Sequence, residues 1–283
     1  MHFRYKNTIL SLFISYLLPL FSLFSSPSNP FQHSSHRQKQ SNSNTCIFSS
    51  ASLKKEATWS VASIDTSRIQ TSRKLIALTF DDAPASTLDE ILKVFLEFNI
   101  SHSDAPATAT VFCNGKNVKN STKHSLQTAF ALGFELGNHT QNHLNLVTLP
   151  PEKITEEIQK TDELLQSIDG QKTHLLRAPY GNVNEAVRTA ANAPIIDWFI
   201  DTLDWTGISK DQIYHCIWQQ KFPGAIVLMH DGYANTVEAL KQLLNDLYNA
   251  GYQAVTISQM AKIHGCTLLA GGVYTRIRKQ TPH

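Results

Sequence analysis

Histidine, acidic and arginine side chains occur in five short groups along the sequence, and each group follows a mainly apolar stretch. The groups are Asp81-Asp82, His139 with His143, Arg177 with Tyr180, Asp201 with Asp204-Trp205, and His230-Asp231. Any one of them has an ordinary structural explanation, such as a helix cap or a polar turn. Five groups at the same position relative to successive apolar stretches indicate one shared site.

The residue types in these groups fit a hydrolytic metal site. His139 and His143 are four residues apart, so they can bind one ion if the segment turns helically. One carboxylate then completes a set of two histidines and one aspartate with open coordination positions, as in catalytic metal sites. Asp81-Asp82 offers two carboxylates, one for the metal and one to accept a proton from water. Thr140 replaces the Glu of the H-E-x-x-H pattern, which disfavours that kind of zinc protease.

The other groups supply partners for such chemistry. Arg177 could hold the base in its charged form and orient it. His230 could protonate a leaving group, and Asp204 could raise the pKa of His230 by proximity.

Strands and helices that could position these groups alternate about seven times between residues 74 and 264. The strand-like runs are Lys74–Phe80, Ala107–Cys113, Phe134–Gly137, His174–Arg177, Ile195–Ile200, Ala225–Met229 and Gln253–Ile257. Apolar residues at helical spacing predict helices over Thr87–Asn99, over Glu152–Ile168 and through Val237–Leu247. This alternation favours an α/β fold, either an open doubly wound sheet or a barrel smaller than the eightfold one. In both, the polar groups would meet at the carboxyl ends of the strands.

The N-terminal region has a different composition. Residues 1–55 contain no Asp or Glu and six Lys or Arg, so the rest of the chain is mildly acidic. Arg4 and Lys6 precede an uncharged, mostly apolar run from Thr8 to Phe24, which predicts a signal peptide or, alternatively, an uncleaved membrane anchor over residues 1–25. Residues 26–72 are rich in Ser, Asn and Gln and predict a linker. We therefore expect an exported protein that is periplasmic, extracellular or associated with the cell envelope.

The amino-acid composition excludes several other classes of protein. The chain has 283 residues, 42% of them hydrophobic, which excludes a disordered or fibrous protein. A net charge of +2 gives no electrostatic reason to expect a nucleic-acid partner. Four cysteines without a C-x-x-C pair argue against a zinc ribbon and leave the disulfide pairing open: Cys46, Cys113, Cys216 and Cys266. Cys113, in an apolar strand-like run, is expected to be a buried free thiol.

The motifs together resemble the polysaccharide deacetylases, the NodB-homology domain of carbohydrate esterase family 4. Five family motifs occur in order: TFDD (Thr79–Asp82), HTQNH (His139–His143), RAPY (Arg177–Tyr180), DTLDW (Asp201–Trp205) and LMH (Leu228–His230). The resemblance covers about residues 74–264, and we assign 73–265 to the catalytic domain and 266–283 to a C-terminal tail. It implies a distorted (β/α) barrel of about seven parallel strands and one divalent metal ion, zinc above all, with cobalt, nickel or manganese as alternatives.

Site roles follow from the resemblance position by position. Asp82, His139 and His143 resemble the metal ligands. Other positions resemble the catalytic groups: Asp81 the general base, Arg177 its partner, His230 the general acid, Asp204 the residue that tunes it, and the Tyr180 backbone N–H an oxyanion donor. Trp205 and Leu228 resemble the walls of an acetyl pocket, and Pro179 is assigned to the substrate-binding surface with them.

The resemblance implies removal of acetyl groups from N-acetylated amino sugars of an extracellular polysaccharide, peptidoglycan or chitin-like, by a monomer. Two alternatives stay open: an O-acetyl esterase acting on a xylan-like polymer, and an inactive glycan-binding relative. Membrane attachment through the N-terminal segment is also open. Ala83 stands where the family usually has Gly, so a backbone with φ > 0 at that position would be strained.

Overall fold

The computed structural model describes residues 58–279. The predicted export segment, most of the predicted linker and Cys46 lie outside the described residues. Within residues 58–279, every helix is too short or too polar to cross a lipid bilayer.

A parallel sheet forms the centre of the fold. The strands are β1 (Lys74–Ala83), β2 (Thr110–Cys113), β3 (Glu135–Asn138), β4 (Ile195–Ile196), β5 (Ile200–Asp201), β6 (Ile226–His230), β7 (Tyr252–Ala254) and β8 (Val273–Tyr274). The main path runs β3-β2-β1-β6-β5, and every strand pair in it is parallel. The predicted α/β architecture with a mainly parallel sheet is confirmed.

Short strand pairings and single bridges link the two edges of this sheet, so that it approaches a closed barrel. Leu176 makes parallel bridges to Asn138 at the end of β3 and to Ile195 in β4. The predicted strand Ile195–Ile200 is split: β4 lies against Leu176, and β5 pairs with β6. One segment therefore spans the gap between the two edges of the sheet, which gives a distorted ring.

Seven α-helices flank the sheet in the described part of the chain. They are α1 (Leu88–Ser101), α2 (Asn120–Ala131), α3 (Pro151–Asp169), α4 (Glu185–Ala190), α5 (Lys210–Gln220), α6 (Ala234–Asn249) and α7 (Ile257–His264). The three helices predicted from apolar spacing correspond to α1, α3 and α6. α3 begins with Pro151 in its first turn and ends at Gly170, whose φ of 80° is a left-handed cap that glycine adopts easily.

The main core lies between the sheet and the helices on its outer face. Phe95 of α1 packs edge-to-face against Phe80 of β1 and Phe134, with ring centroids 6.3 and 4.9 Å away. All three rings are buried. This packing fixes α1 against β1, and thereby the start of the loop that follows Asp81-Asp82.

Two segments differ from the sequence-based expectation. The last predicted strand, Gln253–Ile257, corresponds to β7, which pairs with the first residues of β1, and Ile257 already begins α7. Thr256 and Gln259 form a capping box there, each side chain bonding the backbone N–H of the other. Residues after 265, expected as a tail, contribute β8 and the buried Ile277.

The end of the segment expected as a linker also packs on the body. The indole N–H of Trp59 donates to Ser258, and Lys262 donates to the carbonyls of Ala62 and Ile64. The folded body thus includes residues at least as far back as Trp59, fifteen residues before β1 starts at Lys74.

Candidate metal centre and active site

The carboxyl ends of the parallel strands bring the predicted residues to one edge of the sheet. Asp81 near the end of β1 lies directly beside His230 at the end of β6. Cys113 and Asn138 at the ends of β2 and β3 are also register partners, so His139 follows on the same edge. Loops after these ends, with 3₁₀ turns at residues 115–117, 146–148, 179–181 and 204–206, carry the rest.

Asp82, His139 and His143 form a cluster of metal-ligand type. One ligand atom from each of the three residues lies within 4.8 Å of those of the others. Asp82 Oδ1 is 3.9 Å from His139 Nε2 and 3.7 Å from His143 Nε2. His139 Nδ1 lies 2.8 Å from the carbonyl of Arg177 and donates to it, which leaves Nε2 as a free acceptor.

A turn with left-handed backbone, and not a helix, brings the two histidines together. The helical turn assumed from their spacing is absent: residues 139–143 are irregular, with φ of 67° at Thr140 and 58° at His143. Thr140 Oγ1 accepts a hydrogen bond from the His143 N–H at 3.2 Å. The two rings meet edge-to-face with centroids 4.9 Å apart.

Two asparagines that the sequence analysis did not single out hold Asp82. Its φ of 65° is unusual for a residue other than glycine. Asn114 Nδ2 donates to Asp82 Oδ1 at 2.6 Å, and Asn117 Nδ2 donates to the Asp82 carbonyl at 3.2 Å. Asn114 Oδ1 is a buried acceptor without a hydrogen-bond partner among the described residues. Two imidazole nitrogens and a carboxylate, with ligand atoms within 4.8 Å of one another, fit a divalent cation.

Asp81 is placed differently from Asp82 although the two are adjacent. It is buried, and its Oδ1 accepts from Arg177 Nη1 at 2.7 Å. Its Oδ2 lies 3.6 Å from His139 Nε2. Burial works to raise the pKa of Asp81, but Arg177, His139 and His230 outweigh burial and lower the pKa below its usual value. Asp81 is therefore an ionised carboxylate that faces the ligand cluster.

Arg177 is a fully buried side chain with a fixed orientation. Besides Asp81, it donates to Thr79 Oγ1 at 2.7 Å and to the Ile196 carbonyl at 3.1 Å. Its guanidinium lies over the ring of Phe112, 4.1 Å from the centroid. These contacts hold the guanidinium in one orientation, with Asp81 as its carboxylate partner.

His230 and Asp204 form the second ion pair. His230 Nδ1 lies 2.7 Å from Asp204 Oδ1, which leaves Nε2 for a reacting group. Asp204 also accepts from the His230 backbone N–H, from Thr236 Oγ1 and from the Trp205 N–H. Burial opposes charge on His230, but the Asp204 hydrogen bond and the nearby carboxylates raise its pKa above the usual value. Thr236 was not predicted, and nothing in the sequence around it indicates this contact.

The residues assigned to the substrate surface differ in exposure. The side chains of Tyr180 and Trp205 are open, at 62% and 51% exposed, whereas Leu228 and Pro179 are buried. Tyr180 has φ of 63° and ψ of 6°, and its ring lies 4.9 Å from that of His143. Leu203, 46% exposed with φ of 56°, adds an apolar side chain that sequence reasoning missed.

Ala83 carries no strain of the expected kind. It is not among the described non-glycine residues with positive φ, which include its neighbour Asp82. Ala83 is buried, pairs with Cys113, and accepts a hydrogen bond from the Asn114 N–H. Cys113 is a buried free thiol, as predicted. Burial of Cys113, with the charges of Asp231 and Asp169, raises its pKa far above the usual value, so the thiol stays protonated.

Comparisons with known proteins decide the family. The family model for polysaccharide deacetylases matches residues 68–194. A peptidoglycan-N-acetylglucosamine deacetylase of Bacillus cereus is 32% identical over 193 residues, which are 65% of this chain and 67% of that protein. The chain belongs to the polysaccharide deacetylase family. This confirms the resemblance on which the site roles were assigned.

Other members of the family differ in size and in the activities for which they are named. The peptidoglycan-N-acetylmuramic acid deacetylase PdaC of Bacillus subtilis is 30% identical over 69% of this chain and 40% of that protein. A bifunctional xylanase/deacetylase of Pseudobutyrivibrio xylanivorans is 31% identical over 69% of this chain and 31% of that protein. The chain thus spans well under half the length of these two relatives.

A deacetylase structure solved with its substrate is also similar. It is 32% identical to this chain, with a TM-score of 0.67, and the match covers 73% of this chain and 99% of that chain.

Proposed function

We propose that this protein is a metal-dependent deacetylase that removes acetyl groups from N-acetylated amino sugars of an extracellular polysaccharide, peptidoglycan or chitin-like. One observation carries the proposal: Asp82, His139 and His143 lie within 4.8 Å of one another. Two ion pairs flank them: Arg177 with Asp81, which is buried, and Asp204 with His230, in which the histidine is partly exposed. Family membership supports the proposed reaction class.

Asp82, His139 and His143 would hold the ion. Two imidazole nitrogens and a carboxylate suit zinc, and cobalt, nickel or manganese would also accept this set. A bound divalent ion would supply Lewis-acid chemistry, polarising the acetyl carbonyl and lowering the pKa of water.

Asp81 would act as the general base. Its carboxylate is ionised and faces the ligand cluster, so it can take a proton from the attacking water. Arg177 would orient Asp81 and hold it in the charged form. Because Arg177 is bonded to Thr79 and Ile196 as well, the position of the base is defined before substrate binds.

His230 would act as the general acid. Its Nδ1–H is hydrogen-bonded to Asp204, and a protonated Nε2 can donate its proton to the nitrogen of the departing amine. The raised pKa of His230 keeps the imidazolium populated near neutral pH. The backbone N–H of Tyr180 would donate to the developing oxyanion, an interaction whose loss costs roughly 10²–10³ in rate.

The polysaccharide would lie across the exposed aromatic side chains of Tyr180 and Trp205, beside the proposed metal ligands. Trp205 and Leu228 would border the acetyl methyl, with Pro179 beneath, so that acyl groups larger than acetyl are excluded. An O-acetyl esterase acting on xylan-like polymers is the second candidate, and it is favoured by the similarity to a xylanase/deacetylase. A glycan-binding protein without activity is the weaker alternative, because both proposed proton-transfer groups have their partners in place.

The sequence and the relatives also support a proposed location for the protein. The apolar N-terminal run and the peptidoglycan deacetylases among the relatives support export to the cell envelope, with membrane attachment if the segment is retained. We propose that the enzyme acts as a monomer on its polymeric substrate.

Acetate release tests the proposal and ranks the substrates. The purified full chain, supplied with zinc, is incubated with peptidoglycan, chitooligosaccharide and acetylxylan, and acetate is measured. The proposal requires release from an N-acetylated polymer, with His143→Ala as the inactive control. Release from acetylxylan alone would favour the esterase, and no release from any of the three would support the binding protein.

A further inference from the structure

A buried ionic cluster lies beside the metal-ligand loop and takes no part in the chemistry described above. The side chain of His174 is buried between two carboxylates of α3, Asp162 and Asp169. Its Nδ1 lies 2.9 Å from Asp162 Oδ1, and its Nε2 lies 3.1 Å from Asp169 Oδ2. Ionised carboxylates only accept hydrogen bonds, so both ring nitrogens act as donors.

The charge state agrees with this geometry. Burial works to lower the pKa of His174, but the hydrogen bonds and charges of Asp162 and Asp169 raise it to about 9. His174 is therefore an imidazolium at neutral pH. The two carboxylates are seven residues apart on one face of α3, so the ring bridges two positions that lie about two helical turns apart.

Asp162 links the cluster to Asn138, the residue immediately before His139, by a hydrogen bond. Asp162 Oδ1 accepts from Asn138 Nδ2 at 2.8 Å, and the same Nδ2 donates to the Ile158 carbonyl at 2.9 Å. Because Asp162 can only accept, Asn138 must turn its NH₂ group toward α3. Its oxygen is then left to accept from the Thr140 N–H at 2.8 Å.

Thr140 lies between the two histidines, in the left-handed backbone that replaces a helical turn. Its φ of 67° is sparsely populated by residues other than glycine, so it needs outside support. The Asn138 bond to its N–H supplies that support, and Thr140 Oγ1 in turn accepts from the His143 N–H. The chain of contacts runs from Asp169 through His174, Asp162, Asn138 and Thr140 to His143 without a gap.

We propose that His174, hydrogen-bonded at both ring nitrogens, is a positioning residue that fixes the loop carrying His139 and His143 by way of Asp162 and Asn138. The inference rests on the proposed function only in that these two histidines bind a divalent ion. Burying charged groups costs desolvation energy that roughly cancels their attraction, so the cluster adds little net stability. What it provides is a single orientation of Asn138.

Zinc affinity of the folded protein tests the proposal without depending on any substrate. Zn²⁺ binding by the full chain is measured by competition with a chelator of known affinity, in the wild type and in His174→Gln and Asp162→Asn. Circular dichroism of the metal-free proteins checks that each variant is folded. Loss of a partner that orients a ligand typically weakens metal binding 10–100-fold. Since His174 reaches His143 only through Asp162, Asn138 and Thr140, we expect about a tenfold loss of zinc affinity, at the lower end of that range.

Two further variants separate positioning from general destabilisation. Asp169→Asn leaves the His174 Nδ1–H bond to Asp162 available, so its loss of zinc affinity should be smaller than that of His174→Gln. Glu135→Gln changes another hydrogen-bonded carboxyl, a half-buried one at the opposite end of β3, whose partners are Thr110 and Ser258 and not the loop. Its zinc affinity should equal that of the wild type.

The outcomes are distinct. A tenfold loss in His174→Gln or Asp162→Asn, with Glu135→Gln unchanged, supports the proposal, and either variant suffices if the other does not fold. Equal zinc affinity in all folded variants overturns it, and so does an equal loss in Glu135→Gln. If the wild type itself binds no Zn²⁺, the proposed function fails together with this inference, whereas wild-type binding with unchanged variants overturns only the role of His174.

Discussion

Removing the imidazole of His230 should separate amide from ester hydrolysis. The ring is held through Nδ1 by Asp204, and only Nε2 remains for a reacting group. In His230→Ala, Asp204 keeps three of its four hydrogen bonds: those from the backbone N–H of residue 230, from Thr236 Oγ1 and from the Trp205 N–H. The fold and the three metal ligands should therefore be retained.

The size of the effect depends on the leaving group. An amine leaves only when its nitrogen is protonated, so deacetylation of an N-acetylated sugar should lose the full contribution of a general acid, about 10²–10⁴ in rate. This corresponds to about 2.7–5.5 kcal/mol in the barrier. An aryl acetate leaves as a stable phenolate and needs no proton, so its hydrolysis should change far less.

The assay compares kcat/KM of wild type and His230→Ala on a chitooligosaccharide and on 4-nitrophenyl acetate, with the zinc content of both proteins measured. The expected result is a selective loss on the chitooligosaccharide with zinc retained. An equal loss on both substrates, with zinc intact, would refute the assignment and place His230 in the attack step or in oxyanion stabilisation.

Three other predictions address the base, the pH profile and the core. Asp204→Asn removes the carboxylate that raises the pKa of His230, the proposed general acid. Because the acid is active when protonated and loses its proton as pH rises through that pKa, the alkaline limb of kcat against pH should move to lower pH. An alkaline limb at the wild-type pH would contradict the pairing of Asp204 with His230. Asp82→Ala should lose zinc and activity together, whereas Asp81→Asn should keep zinc and lose activity because an amide cannot accept the proton. The bound zinc and the acetate released are measured for both variants. An equal loss of zinc in the two variants would show that the roles of Asp81 and Asp82 are assigned wrongly. Phe95→Ala removes a buried ring and should lower the free energy of unfolding by about 3–5 kcal/mol in denaturant titration; a change below about 1 kcal/mol would show that the core collapses around the gap.

The sequence predicts the convergence of the site because the fold is mainly parallel. When strands and helices alternate, the residues that follow each strand meet at one edge of the sheet, so the sequence alone predicts that Asp81, His139, Arg177 and His230 lie close together. Two ion pairs, Arg177 with Asp81 and Asp204 with His230, were expected from charge and residue type, and the structure places the paired atoms of each 2.7 Å apart.

What could not be predicted is mostly backbone geometry and long-range polar contacts. Left-handed φ at Asp82, Thr140 and His143 could not be predicted from the sequence, because it is uncommon in any residue other than glycine, even though Asp and His adopt it more often than most. Asn114 and Thr236 act through hydrogen bonds to residues 32 positions away, which no local pattern reveals.

Two errors in the expected boundaries have different causes. The capping box of Thr256 and Gln259 was readable in the sequence and would have ended the last strand earlier. Leu268, Tyr274 and Ile277 are buried but too sparsely spaced to show any period, so a packed segment resembles a polar tail.

The central claim is that Asp82, His139 and His143 hold a divalent ion on which deacetylation depends. The most direct test measures acetate release from an N-acetylated oligosaccharide by the full chain as purified, after exhaustive treatment with a chelator, and after zinc is restored, with the bound metal counted in each sample. We predict about one ion per chain, loss of activity on its removal and recovery on its return, with neither ion nor activity in His143→Ala. Full activity in the chelator-treated protein, or in His143→Ala, would contradict the account.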